Sequence, residues 1–481
     1  MATTNLNEVK RDNKLMQHNI PTGDSFVDVG GLVLETIRER FSEKTLPEIF
    51  DFVIDVYIER WNQKLHSIFH TNSKILNPST KGKHKANTRN YLNELLANSW
   101  LDDCLDGYCK TCGKHGILYS NSREFLPISG SGAFVNFHHS HEPGSFLCNQ
   151  CSIKLFFVPL GVILFGGNAG LLDVQAETIR NFWKKNIILE NLNKISKNSS
   201  EGILKSDYKN PKNALFNFAS DIIDEIKDEN HSEFLQLLCF TNFGASPHCD
   251  IYFLPNPVFV FLNKVICHYA SNWYYFVNRY FFIKGVKWDD EQRVWVKETK
   301  KEKTVLTKSD YLNNKNLIYE KLLSKQSILR ELLKIYRGHY MQNLGKFPLE
   351  ITIHYTKEVL NMDKKQIEMI GRISDVIFEL SRKENNFKKY LVMLERAGKA
   401  YQLRSALIRI IKANFRNGAK EPLIRLEDYV TYLFPDGQYW GEIRDLLLIH
   451  LYEKFHDEGV NRDTIPEVDV VEAEDDAVNE F

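Results

Sequence analysis

The hydrophobic rhythm of the chain changes near residue 309. In front of that point, short helical patterns alternate with β-like and turn-rich stretches; behind it, one period-3.6 pattern follows another. Pro21-Thr22-Gly23-Asp24 reads as a turn, and Phe26 to Gly31 as a short element before a helix around Leu32 to Arg40. Leu46 to Ile68 carries Ile49, Phe52, Val53, Val56, Trp61 and Leu65 at helical spacing and predicts a longer helix. Leu155 to Gly167 is the longest apolar stretch, but Pro159, Gly161, Gly166 and Gly167 break it. It predicts a buried strand and turn and is too short to span a bilayer. Phe240 to Leu262 is aromatic and proline-punctuated, as β structure with irregular turns would be, and Val286 to Val305 alternates around Trp288 and Val294-Trp295-Val296 like a hairpin. Behind residue 309, Tyr311–Tyr340, Asp363–Lys383, Asn386–Ala400, Tyr401–Asn417, Leu423–Phe434 and Tyr439–His456 fit helices, with stops at Gly418, Pro422 and Pro435-Asp436-Gly437. The fold class is therefore α+β: a mixed α/β domain over 1–308, an all-α helical bundle over 309–465, and an acidic tail over 466–481 whose composition predicts disorder.

Two matched cysteine pairs sit in the first domain, Cys109-Lys110-Thr111-Cys112 and Cys148-Asn149-Gln150-Cys151. Two residues between thiolates let one backbone turn aim both sulfurs at a point. Two such knuckles supply the tetrahedral S4 shell that zinc prefers and that iron–sulfur clusters also use. The 35 residues from Gly113 to Leu147 exceed a compact ribbon's spacing, so the second knuckle returns after an insertion, and the element occupies about 104–155. Redox chemistry and four buried, metal-free thiols are the competing readings. Cys104, Cys239, Cys249 and Cys267 show no pairing rhythm. A closed S4 shell leaves zinc no position for a water, so the expected role is structural. His138, His139 and His141, between the knuckles, are alternative ligands or ordinary loop histidines.

At 481 residues, with 43% hydrophobic and 26% charged positions, the composition is that of a soluble protein of several domains. The first twenty residues are polar and mixed in charge, a flexible leader rather than a signal peptide. The expected setting is a reducing cytoplasm with no membrane role, where CxxC pairs hold metal.

A formal net charge of zero hides a strong asymmetry. Arg382 to Lys420 holds eleven Lys/Arg against two acids, whereas Asp463 to Phe481 holds eight acids and no base. On a helical wheel of Tyr401–Asn417, Leu403, Leu407, Ile410, Ile411 and Phe415 share one arc, and Arg404, Arg409, Lys412 and Arg416 the opposite one. Lys388, Lys389, Arg396 and Lys399 extend that charge along the preceding helix. An all-basic face suits a phosphate track; the alternative is a solvated face balanced by the acidic tail. Lys81, Lys83 and Lys85 form a weaker basic cluster in what reads as an exposed loop.

Several catalytic patterns fail. His141-Glu142 lacks the spacing of a zinc deaminase, and Leu147, not proline, precedes Cys148. No phosphate-binding G-x-x-x-x-G-K-[ST], H-E-x-x-H or G-x-S-x-G occurs. The chain is expected not to be an enzyme; an unrecognised site near the histidine-rich loop is the competing reading.

Thr22-Gly23-Asp24-Ser25-Phe26-Val27-Asp28-Val29-Gly30, both knuckles, Phe240-Thr241-Asn242-Phe243-Gly244 and Leu254-Pro255-Asn256-Pro257 together resemble the CXXC–CXXC family of CRISPR-associated proteins, large subunits of the type I-B Cascade interference complex. The resemblance covers roughly the first half of the chain; the helical part matches in character only. It implies a non-catalytic subunit that works with crRNA and other Cascade subunits, reads the protospacer-adjacent motif on duplex DNA, helps open the duplex, binds the displaced strand and recruits a helicase–nuclease. It also implies that the helical part is made separately as a small subunit, with Met362 a suitable internal start and Met341 and Met369 its competitors. Asn168, in Gly166-Gly167-Asn168-Ala169-Gly170, is a candidate base-edge reader or merely a turn residue. A zinc-stabilised nucleic-acid-binding accessory protein outside CRISPR systems is the alternative.

Overall fold

The computed structural model describes residues 21–127, 145–243, 247–298, 302–434 and 439–465. The expected leader, the three loop histidines, Gly244, the stop at Pro435–Gly437 and the acidic tail lie outside the described residues. The architecture is α+β, 55% helical and 12% strand, with strands mostly toward the N-terminus and helices filling the C-terminal half. Among the described residues no helix is long and apolar enough to cross a membrane. The chain divides into two compact units, one running to Ile222 and including Phe234–Leu254, the other comprising Ile223–Glu233 and the residues from Pro255 onward.

In the first unit, helix α1 (Ser25–Arg40) starts at Asp24, whose carboxylate accepts from the amides of Phe26 and Val27. Asp28, in its first turn, accepts from Thr22 N and Thr22 Oγ1, both at 2.8 Å, and from Gly23 N at 3.1 Å. Gly23 has φ +87°, the left-handed region that favours glycine, so this entry loop needs Gly23 as much as its acids. Helix α2 (Leu46–Asp55) opens on a Thr45–Glu48 capping box and continues through a π turn to Arg60. After α3 (His84–Ala97) come three antiparallel strands in the order β1 (Leu105–Tyr108), β2 (His115–Asn121), β3 (Ser145–Cys148), followed by α4 (Asn149–Phe156). β4 (Ile163–Phe165) and β5 (Asn168–Leu172) form a hairpin across Gly166-Gly167, with φ +66° at Gly166. With β6 (Leu204–Lys205), β7 (Leu235–Thr241) and β8 (His248–Leu254) they make a sheet ordered β6-β4-β5-β7-β8, parallel only between β4 and β6. Tyr57, Trp61, Phe50, Phe156 and Phe157, all fully buried, knit α2 to α4.

The second unit opens with α5 (Asn256–Asn278) and the meander β9 (Lys287–Asp289), β10 (Val294–Glu298), β11 (Lys303–Val305). Its larger later helices are α6 (Leu329–Met341), α7 (Lys364–Lys383), α8 (Phe387–Glu395), α9 (Ala400–Arg416) and α10 (Trp440–Asp457). Helix α10 is buried on every side, its Tyr452 and Phe455 packing on Tyr340 of α6 and its Phe455 on Phe378 and Phe387. The buried Arg444 guanidinium is satisfied by the carboxylate of Asp445 and the carbonyl of Ala397.

Several sequence expectations shift. The domain boundary falls near residue 255, not 308, because α5 packs with the helices that follow: Phe261 lies 5.5 Å from Tyr355 and Lys264 pairs with Glu358 at 2.6 Å. The β reading of Phe240–Leu262 ends at Leu254. Pro255 and Pro257 there start a helix, since proline's missing N–H is harmless in the first turn. Leu155–Gly167 holds the end of α4 and a 3-10 turn before its short strand, and Val286–Val305 forms three strands rather than two. Tyr311–Tyr340 is not one helix: Lys308–Tyr311, Leu317–Leu323 and Leu329–Met341 are separate, the second capped by Asn316.

Candidate metal centre and basic groove

The first knuckle is the turn between β1 and β2, and the second is the junction of β3 with α4. Leu118 of β2 pairs with Cys148 and Tyr108 with His115, while Cys109 N donates to Lys114 O and Gly113 N to Cys109 O, both at 2.9 Å. Gly113, directly after the second cysteine, has φ +69°. A side chain there would strain the turn that swings Cys112 back toward Cys109.

The four sulfurs lie within 4.8 Å of one another. Cys112 Sγ and Cys148 Sγ are 3.7 Å apart, and all eight cysteines are free thiols. Four sulfurs at a Zn–S distance of about 2.3 Å stand about 3.8 Å apart at the corners of a tetrahedron, so the cluster fits zinc with small adjustments. The backbone supports the fit: amides of Cys112 and Cys148 point at the Cys109 sulfur, and that of Cys151 at the Cys148 sulfur. Such N–H groups, with the start of α4 behind them, offset the negative charge that four thiolates gather. Hydrogen bonds from the thiols of Cys148 and Cys151 hold Cys109 far below the usual thiol range. The same bonds to Cys109 push Cys148 up to about 12 and Cys151 higher still. A dication held by these four cysteines would displace the thiol protons and complete the shell.

Among the described residues no other cysteine or histidine joins this group. Cys104 accepts from Leu101 N, His115 stacks edge-on with Tyr108, and His138, His139 and His141 lie outside the described residues.

The flanking motifs serve the same framework. Helix α1 crosses α4 at Gly30, where a Cβ would lie 2.0 Å from the Lys154 carbonyl oxygen. Phe26 meets Phe240 edge-on at 4.9 Å. Asn242, fully buried, donates through Nδ2 to the carbonyls of Ile68 and Arg123, each at 2.8 Å, and accepts from Arg123 Nε at 3.1 Å. Truncation would leave two buried carbonyls with one partner fewer. Asn242→Ala is expected to destabilise the first unit by about 2–4 kcal/mol, read as a lower urea midpoint from the buried Trp61 and Trp183.

The basic candidates separate. Helices α8 and α9 enclose a groove of about 760 Å³ lined by Lys389, Arg396, Tyr401, Arg409, Lys412 and Arg416 among others. Lys389 pairs with Glu384 at 2.8 Å, whereas Arg396, Arg409, Lys412 and Arg416 are exposed and, among the described residues, form no ion pair. Lys388 is exposed outside the groove lining, Lys399 caps α9, and Arg404 lies over the Phe434 ring at 5.0 Å. The wheel places Leu403, Leu407 and Ile410 correctly inside, but Phe415 is 48% exposed because the unit offers that end of α9 no neighbour. Lys81 and Lys83 stay exposed. Lys85 lies on α3 and is bound by Asp55 and Glu59, since the helix starts at the buried His84 rather than after an open loop. Asn168 is the first residue of β5, its side chain bonded to the Cys239 thiol; the positive φ of that turn belongs to Gly166.

The backbone amides aimed at the sulfurs and the Gly30 crossing are absent from the sequence reading. Gly113 is the one signal that a sequence could offer for them. No curated protein and no solved structure matches the chain. Residues 102–163, which carry both knuckles and the strands that frame them, match the family described as CRISPR-associated protein (Cas_CXXC_CXXC), so that this stretch is similar to CRISPR-associated CXXC–CXXC proteins.

Proposed function

We propose that the chain is the non-catalytic large subunit of a type I-B Cascade complex, with a structural zinc in the four-cysteine site. The observation that carries the reading is the family match over the segment that builds the sulfur cluster. The groove between α8 and α9 adds what such a subunit needs, cations that track a phosphate backbone without reading sequence, beside an exposed aromatic ring, Tyr401, on which bases stack. In this reading the partners are crRNA, the other Cascade subunits, target double-stranded DNA and a separate helicase–nuclease, and the protein reads the protospacer-adjacent motif while base pairing reads the rest.

The helical part as a separate small subunit belongs to the same proposal. Met362 immediately precedes Asp363, the cap of α7, so a product starting there retains α7 to α10 and loses α6, which covers Tyr452 and Phe455.

Affinity purification of the chain from cells that carry its neighbouring genes is the test. A short RNA, a backbone-forming partner and, by intact mass, a polypeptide beginning near Met362 are expected to co-purify; recovery of the full-length chain alone sinks the proposal. In the same preparation, replacing Arg396, Arg409, Lys412 and Arg416 with serine is expected to flatten the salt dependence of single-stranded DNA binding by about 3 units of log K per log salt. An unchanged slope removes the groove from the function.

A further inference from the structure

The groove on the second unit has an obvious competitor for its ligand within the same chain. Residues 466–481 hold seven Asp/Glu and no Lys/Arg, whereas the facing walls of α8 and α9 carry Arg396, Arg409, Lys412 and Arg416 without a carboxylate partner among the described residues. The acidic segment also starts in the right place. Ile465, the residue before it, lines a cavity together with Phe455. The Phe455 ring lies 5.6 Å from Phe387, and Phe387 is two residues before Lys389, which lines the groove. Sixteen extended residues reach about 50 Å, enough to run from that cavity along the whole of α9, which at about 1.5 Å per residue is roughly half as long. Val468, Val470 and Val471 between the acids supply apolar side chains for the exposed Tyr401.

We propose that residues 466–481 dock in the groove between α8 and α9 as an intramolecular occupant that nucleic acid must displace. The segment presents carboxylates where a bound strand would present phosphates, so the two cannot hold the same guanidiniums at once. Occupancy by the segment lowers affinity for every nucleic acid alike, so a strand held in place by base pairing elsewhere displaces it at a lower concentration than a free strand does. The displacement rests on the nucleic-acid reading of the groove; the docking itself does not.

The test separates the two. Zero-length carbodiimide cross-linking of the full chain at low salt is expected to join carboxylates of residues 467–480 to Lys389 and Lys412, and added oligo-dT to suppress those links. Ending the chain at Ile465, or replacing the seven acids by their amides, is expected to tighten oligo-dT binding about tenfold. That gain should vanish when Arg396, Arg409, Lys412 and Arg416 are already serine. Absence of the cross-links overturns the docking. A gain that persists in the serine background also overturns it, because the effect is then one of net charge. Unchanged affinity after truncation overturns the displacement. Cross-links without oligonucleotide binding by any variant uphold the docking and remove nucleic acid from the groove.

Discussion

Cys148→Ser is expected to abolish zinc binding and to unfold the ribbon between residues 104 and 156. Cys148 does three things at once: it supplies a sulfur, ends β3 in register with Leu118, and caps α4, which carries Cys151. Structural S4 zinc is worth on the order of 10 kcal/mol in apparent folding free energy, more than the burial of this small sheet supplies. The wild-type chain should release one zinc to a chromogenic chelator on thiol modification, and the variant none. Limited proteolysis should then cut the variant within the ribbon first. Cys104→Ser is the control, since its sulfur lies outside the cluster and accepts from Leu101 N. Zinc retained by Cys148→Ser would rule out the four-sulfur shell. Acid should act in the same direction as the mutation. Cys148 and Cys151 are held as thiols above the usual range, so every proton added competes with the metal and zinc affinity falls as pH falls.

Gly30→Ala should be nearly as damaging, although residue 30 touches no metal ligand. The new Cβ would lie 2.0 Å from the Lys154 oxygen and 2.8 Å from its carbon, and neither backbone atom can rotate away. Helices α1 and α4 must part by roughly 1 Å, at a cost of about 3 kcal/mol or more. Because α4 begins at the second knuckle, that shift also moves Cys148 and Cys151, and weakened zinc binding should accompany the lower stability. Gly338→Ala on α6 meets nothing within 4 Å and should be neutral or stabilising by up to about 1 kcal/mol. Equal stability of the two variants would mean that α1 and α4 do not cross as closely as 2.0 Å implies.

Much of this was legible from the chain, for identifiable reasons. The knuckle spacing is local chemistry: two residues between thiolates leave little choice of geometry, so Cys109, Cys112, Cys148 and Cys151 could be named as a set. The helix over Lys364–Lys383 was visible through its strict periodicity. The wheel of α9 correctly separated Leu403, Leu407 and Ile410 from Arg409, Lys412 and Arg416. Where the reading failed, a distant contact had decided. Phe415 has the periodicity of a core residue but no wall to pack against, and Lys85 has the company of a basic loop but sits on a helix facing Asp55 and Glu59.

The sequence by itself determined the chemistry of the four-sulfur set, the helical character behind residue 309 and the opposed charges of α9 and the acidic segment, because each depends on residue type and short-range spacing. Only the tertiary structure decided that Gly30 is a contact surface, that Asn242 ties Ile68 to Arg123, and that α5 belongs with the helices after it. It also separated Arg396, Arg409, Lys412 and Arg416, which line the groove without an ion pair among the described residues, from Lys85 and Lys389, which are bound to carboxylates. Those outcomes depend on which surfaces meet across tens of residues, and a pattern of period 2 or 3.6 carries no record of the partner it will face.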